Sequence, residues 1–192
     1  MNKLVWKGGA LIAPVPPCMV TCGTEEKPNV LTVAWTGIIN THPPKTYISV
    51  RPCRHSYGLI RESREFVINL TPTSLVKAAD WCGVHTGAKV DKFKRCGLHP
   101  QAASAVSVPL LAESPLSLEC RVTDIIPLGT HDMFLADIVA VDVAEELIDE
   151  GGKLCLDRAH LAAFAHGEYF ELGKKIGSFG FSVKKKKTKP KK

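Results

Sequence analysis

The stretch YISVRPCRHSYGLIRESREFVINL, residues 47–70, sets Arg51, Arg54, His55 and Ser56 where an extended run gives way to a helical one. A helix start exposes unpaired N–H groups and a partial positive charge, so it collects anions. Ser56 stands where an N-cap would stand. Two guanidiniums beside it can grip phosphate oxygens through paired, charge-assisted donors. The competing reading is a set of solvated loop charges next to a helix cap. Cys53 falls inside the same run and has no evident part in either reading.

A second group of chemically capable residues is CGVH, residues 82–85, and CGLH, residues 96–99. The two thiolates Cys82 and Cys96 and the two imidazoles His85 and His99 would suffice for a tetrahedral zinc site. The spacing is not a standard finger pattern, however, and VDKF lies between the pairs. Cys18 and Cys22 are four apart and lack Cys-x-x-Cys spacing. No Gly-x-Ser-x-Gly segment marks a hydrolase nucleophile. No Gly-rich dinucleotide loop follows the first strand.

These residues need elements to hold them. Residues 19–24 read as a strand, EEKPN as a turn and VLTVAW, residues 30–35, as its hairpin partner. NTHPPK breaks the chain, and TYISV opens a third strand. The helix after Ser56 should end near Ser63, and EFVINL reads as a fourth strand. TSLVKAADWCGV has apolar residues at helical spacing, with a loop over residues 85–104 after it. LSLECRVTDIIPLG alternates, with Leu116, Leu118, Cys120 and Val122 on one face and Ser117, Glu119, Arg121 and Thr123 on the other. MFLADIVAVDVAEEL alternates for longer, and Gly129-Thr130 between the two suggests a hairpin. About six hairpin-linked strands with two short helices predict a mostly β chain, an antiparallel closed or half-closed barrel.

The chain of 192 residues suits one core, read as a domain over residues 1–183 with a lysine-rich tail over residues 184–192. The net charge of +6 belongs to that tail: less its seven lysines, the remainder carries −1. A specific nucleic-acid partner is therefore not expected, and the tail reads as a solvated terminus. No apolar run approaches a membrane span, and MNKLVWKGGALIAP is too short in apolar residues for a signal peptide. With seven cysteines, an odd number, reduced thiols in the cytoplasm are expected.

The ordered set NVLTVAW, PPKTYISVRPCRHSYGLI, EFVINL, DWCG, VDKF, LSLECRV and GTHDMFLADIVAV, within residues 16–169, resembles the flavin reductase-like family. These are FMN-binding split-barrel proteins that include the flavoredoxins. The resemblance implies a Greek-key antiparallel split β-barrel with short flanking helices, assembled as a homodimer around FMN. It implies that Thr32, Val33, Ala34 and Trp35 line the flavin. It gives the phosphate side to Ser49, Val50, Arg51, His55 and Ser56, and a place near the ribityl or ring to Asn69. Lys92 and Phe93 would lie on a loop closing over the cofactor. His131 would face the nicotinamide side of the ring, as the catalytic residue. Electrons would come from NADH, NADPH or a redox protein partner. Singly, Trp35 and Asn69 also read as packing and turn residues, Lys92 as a surface lysine and His131 as a turn histidine. A non-catalytic flavin-storage module is the alternative of another class.

Overall fold

The computed structural model describes residues 1–183, so the lysine-rich tail lies outside the described residues. Eleven strands appear in chain order: β1 Cys18–Gly23, β2 Pro28–Val33, β3 Thr36–Thr41, β4 Pro44–Val50, β5 Glu65–Asn69, β6 Pro100–Gln101, β7 Leu110–Leu111, β8 Leu116–Pro127, β9 Asp132–Val143, β10 Ala162–Ala165 and β11 Glu168–Glu171. The α-helices are α1 His55–Ser63, α2 Val76–Val84 and α3 Lys92–Cys96. Seven strands form one antiparallel sheet in the order β2-β1-β5-β8-β9-β4-β3. The sheet curls around an interior filled by Val20, Cys22, Leu31, Val33, Ile48, Val50, Phe66, Ile68, Cys120 and Phe134. Ile60 of α1 enters the same interior from one end. This is the expected antiparallel split barrel.

The split is a consequence of strand order. β2 pairs only with β1 inside the sheet, and β3 only with β4. Past the Thr36–Ile48 pair the Ser49 amide donates to the Trp35 carbonyl at 3.0 Å, so the β4 ladder runs on into the residues that link β2 to β3. Long alternating β8 and β9 form the hairpin that carries the far wall, bent by register shifts at Glu119/Cys120 and Val122/Asp124. Such bulges increase local twist and help a sheet close.

Two elements depart from the sequence expectations. Residues 36–41 form a full strand, β3, where no strand was expected. Its Ile38 and Ile39 are exposed, so no alternation of burial announces it. The segment expected to be a loop contains α3. Asp91 caps it, accepting from the Lys94 amide at 3.0 Å, and Gly97 ends it with a φ of 65°. Both are ordinary helix stop and start signals.

α2 and α3 lie on the outer face of β1 and β2, where Met19 and Val30 pack with Ala79, Cys82, Phe93 and Leu98. Residues 103–110 cover β5 in the same way, with Val106, Val108 and Leu110 over Val67. No helix among the described residues is long and apolar enough to cross a membrane.

Candidate functional site

The seam opens into a cleft of two lobes that share Leu31, Thr32, Arg51 and Arg54. One lobe runs along the seam past Val33, Ala34, Trp35, Ser49 and Val50 to His131. The other lies under α2 and α3, lined by Cys53, His55, Ser56, Cys82, Gly83, His85, Thr86, Gly87 and Lys92.

Arg51 and Arg54 stand at the waist. Both are exposed, and neither forms an ion pair or a side-chain hydrogen bond among the described residues. Arg54 is the residue that caps α1, with an extended backbone and no side-chain cap. The first amides of a helix have no intrahelical acceptor. Two free guanidiniums and a nine-residue helix's positive end thus face one spot. Ser56 is not the cap that the sequence suggested, because the helix starts one residue earlier. Its hydroxyl accepts from Asn29 Nδ2 at 2.7 Å within the lobe wall. Gly87 is required there: a Cβ would lie 2.0 Å from Asn29 Oδ1 and 3.1 Å from the His55 ring.

In the seam lobe two flat rings meet. Trp35 and His131 have centroids 4.6 Å apart and tilted by 44°. His131 is half-buried, and Thr130 Oγ1 lies 3.0 Å from its Nδ1. Burial, then the charges of Arg51 and Arg54, hold its pKa below the ordinary histidine value. The imidazole is therefore neutral near pH 7 and can act as a hydrogen-bond donor or acceptor.

Lys92 lines the cleft but not as part of a closing loop. It is the first residue of α3 and is buried, its Nζ donating to the carbonyls of Val30 at 2.8 Å and Cys82 at 2.7 Å. The Val30 carbonyl thus points out of the barrel edge. By strand alternation the backbone of Thr32 points the same way, into the cleft. Burial lowers the Lys92 pKa.

The structure does not bring Asn69 or Phe93 to the cleft. Asn69 is fully buried behind β1. Its Nδ2 donates to the Met19 carbonyl at 2.9 Å, and its Oδ1 accepts from the Leu111 amide and the Ser117 hydroxyl at 2.9 and 2.8 Å. It is a hub tying β1, β5, β7 and β8 together. Phe93 is buried in the apolar layer under α2 and α3. Sequence reasoning left Arg54 outside the expected contact set, although it named it, and missed Thr86 and Gly87 altogether. Only the Gly in HTGA hinted at a close approach.

The four residues of the zinc reading do not converge. His85 stacks on Trp81 with centroids 3.9 Å apart, its Nδ1 at 3.0 Å from the Trp81 carbonyl. His99 Nδ1 lies 2.6 Å from Glu113 Oε1. Among the described residues no group of three or more His, Cys, Asp or Glu is placed to hold a metal ion.

The model of the family described as flavin reductase like domain matches residues 12–173, which include the whole barrel and both lobes of the cleft. The chain belongs to that family. It superposes on the flavoredoxin of Desulfovibrio vulgaris (Miyazaki F) with a TM-score of 0.88 at 27% identity, covering 95% of this chain and all of that one. An FMN-binding protein from Thermus thermophilus, solved with bound 1-cyclohex-2-enone, matches with a TM-score of 0.76 at 25% identity, over 93% of this chain and 97% of that one. By sequence, an NADPH-flavin oxidoreductase of Streptomyces viridifaciens is 28% identical over 130 residues, 66% of this chain and 65% of that protein. The chain spans 56% of the length of a curated relative from Aeropyrum pernix that it matches at 29% identity.

Proposed function

We propose that this chain is a cytoplasmic, homodimeric flavin-dependent oxidoreductase that holds FMN in the two-lobed cleft and passes electrons from NADH or NADPH through it. The observation that carries the reading is the pair of unpartnered guanidiniums, Arg51 and Arg54, at the start of α1 and at the waist of a cleft whose other lobe is walled by Trp35 and His131. A single terminal phosphate on a flat ring system fits that donor set. The bound flavin would supply the redox chemistry, accepting electrons from the donor and giving them to an acceptor.

The chain's own residues do the remainder. Arg51, Arg54 and the first amides of α1 hold the phosphate. Val33, Ala34 and Trp35 form the apolar wall of the seam. The outward backbone of Thr32 offers fixed donors and acceptors to a ring edge. Neutral His131 orients the nicotinamide or relays a proton at the seam's mouth. The FMN-binding protein of T. thermophilus supports a flavin mononucleotide in this fold, and the S. viridifaciens NADPH-flavin oxidoreductase supports a pyridine nucleotide as donor. All seven cysteines are unbridged, in keeping with a reducing compartment. Apolar residues exposed on β3 and β9 support a second copy of the chain as partner.

The test is a titration of flavin-free protein with FMN followed by flavin fluorescence, run on wild type, Arg51→Ala and His131→Ala. Loss of a charge-assisted contact at Arg51 should cost about 1.5–3 kcal/mol, roughly ten- to hundredfold in affinity. His131→Ala should bind FMN as wild type does but slow its reduction by NADH or NADPH in stopped-flow mixing. An Arg51→Ala protein of unchanged affinity removes that residue from the phosphate site. If neither nucleotide reduces the wild-type flavin, a redox protein becomes the donor. If no reductant yields turnover, the storage reading takes its place.

A further inference from the structure

Cys82 on α2 and Cys96 at the end of α3 have their sulfurs 3.9 Å apart. No other pair of cysteine sulfurs among the described residues is within hydrogen-bonding reach. The two thiols face different spaces. Cys82 is buried in α2 and lines the lobe of the cleft that holds Ser56 and Lys92. Cys96, the last residue of α3, is half-buried and lines a separate groove on the outer surface, with Lys77, Asp80, Trp81 and Arg95. The Arg95 guanidinium lies over the Trp81 ring, 5.8 Å from its centroid.

We propose that Cys82 and Cys96 form a redox-active dithiol, open to hydroperoxides through the outer groove, whose closure to a disulfide shifts α2 and α3 under the cleft. Reactive thiols sit in partly exposed places near Lys or Arg, beside a resolving cysteine. Cys96 is half-buried and lines a groove that Arg95 and Lys77 also line, with Cys82 beside it. Cys82 is the resolving partner, since burial and then its neighbour Cys96 push its thiol up to about 12.

The chemistry balances without another reductant. The Cys96 thiol gives up its proton as its sulfur attacks the terminal oxygen of a hydroperoxide: an S–O bond forms, the O–O bond breaks, and the alkoxide or hydroxide leaves with that proton as alcohol or water. The Cys82 sulfur then attacks the resulting sulfenic acid: the S–S bond forms, the S–O bond breaks, and hydroxide leaves with the Cys82 proton as water. Two electrons pass from the two sulfurs to the peroxide. Closure must bring the sulfurs from 3.9 Å to about 2.05 Å. That movement cannot leave the cleft untouched. The Cys82 carbonyl is an acceptor for Lys92 Nζ, which also holds Val30 of β2, and Gly83 lies against Thr32, where a Cβ would meet the side chain at 3.3 Å.

The dithiol stands independently of the flavin reading; only its effect on the cleft rests on that reading. The experiment treats the reduced full chain with hydrogen peroxide, alkylates the remaining thiols, and maps the cysteines by peptide mass spectrometry. The expected product is a Cys82–Cys96 linked peptide that dithiothreitol reverses. In Cys82→Ala, Cys96 should instead be trapped as a sulfenic acid by dimedone. In Cys96→Ala, Cys82 should stay reduced. Peroxide consumed first at Cys53 or Cys155, with residues 82 and 96 unlinked, overturns the proposal and leaves two packed thiols. Oxidised wild type should bind FMN several-fold more weakly than reduced protein. An equal affinity with the disulfide formed overturns the coupling and keeps the dithiol. Failure of FMN to bind either form sinks the flavin reading, while the peptide map still judges the dithiol.

Discussion

β1 and β2 are buried on both faces, whereas β3 on the other side of the seam is exposed along most of its length. The first region has its outer face covered by α2 and α3, as residues 103–110 cover neighbouring β5. The second leaves Ile38, Ile39, Val139 and Val141 in solvent, each at least 38% exposed. Residues 4–12 add Leu4, Val5, Trp6, Leu11 and Ile12, all exposed. One wall of the cleft is thus completed by this chain's own helices. The other wall presents apolar surface of the kind that marks a protein interface. On the proposed reading the two walls have different tasks: the covered one fixes the donors, and the bare one takes a second copy of the chain.

The largest expected effect lies in the covered region. Phe93→Ala empties a buried ring site between α3 and β2, and such truncations cost about 3–5 kcal/mol. Urea unfolding should show that loss, with α3 loosened and Lys92 freed from its two carbonyls. A stability change near zero would mean that α2 and α3 are loose covers, and the contrast between the walls would fall.

Next comes the bare region. Ile38→Glu puts a charge on a side chain that is 62% exposed in the single chain. The fold should keep its stability to within about 0.5 kcal/mol. The dissociation constant of the proposed dimer should rise tenfold or more, about 1.4 kcal/mol. Sedimentation velocity across a dilution series reads this directly. A monomeric wild type overturns the dimer, and a variant that dimerises unchanged moves the interface elsewhere.

The sequence made the two regions unequally legible. Most of the cleft was readable because its residues follow one another along β2, along the end of β4 and into α1, where order in the chain is order in space. The seam's far side was readable at His131 because it stands next to a long alternating strand. Asn69 and Phe93 misled because nothing local distinguishes a side chain pointing to a ligand from one pointing into the layer behind it. Asn69 is polar for a structural reason, the satisfaction of groups from four strands. β3 was invisible because its isoleucines are both exposed, so no alternation of burial marks it. Glu119 shows the same limit. Alternation assigned it correctly to the face opposite Cys120, but that face is covered by residues 104–106, whose amides its carboxylate accepts.

The smallest effect concerns the acid pair beneath that cover. Glu119 is fully buried, with Oε1 accepting from the Ser104 amide and hydroxyl and Oε2 from the amides of Ala105 and Val106. Those bonds outweigh its burial and lower its pKa. Asp142 is the poorer partner: its Oδ2 is buried with no donor facing it. Burial first, and then Glu119, raise its pKa to about 6. A proton on Asp142 bridges the two carboxyls. The native state therefore binds this proton more tightly than the unfolded chain does. Stability from it is complete below the ordinary carboxylate value, declines as pH rises toward about 6, and is gone above. Glu119 runs the other way, its contribution being lost only in stronger acid. Asp142→Asn supplies a permanent donor in place of the titrating proton, so it should flatten the decline. Thermal unfolding of wild type and variant at about pH 5 and about pH 7.5 reads the difference, with the variant gaining on wild type at the higher value. Parallel curves would mean that residues 104–106 let water reach Asp142, and the covered region would then be less closed than its apolar layers imply.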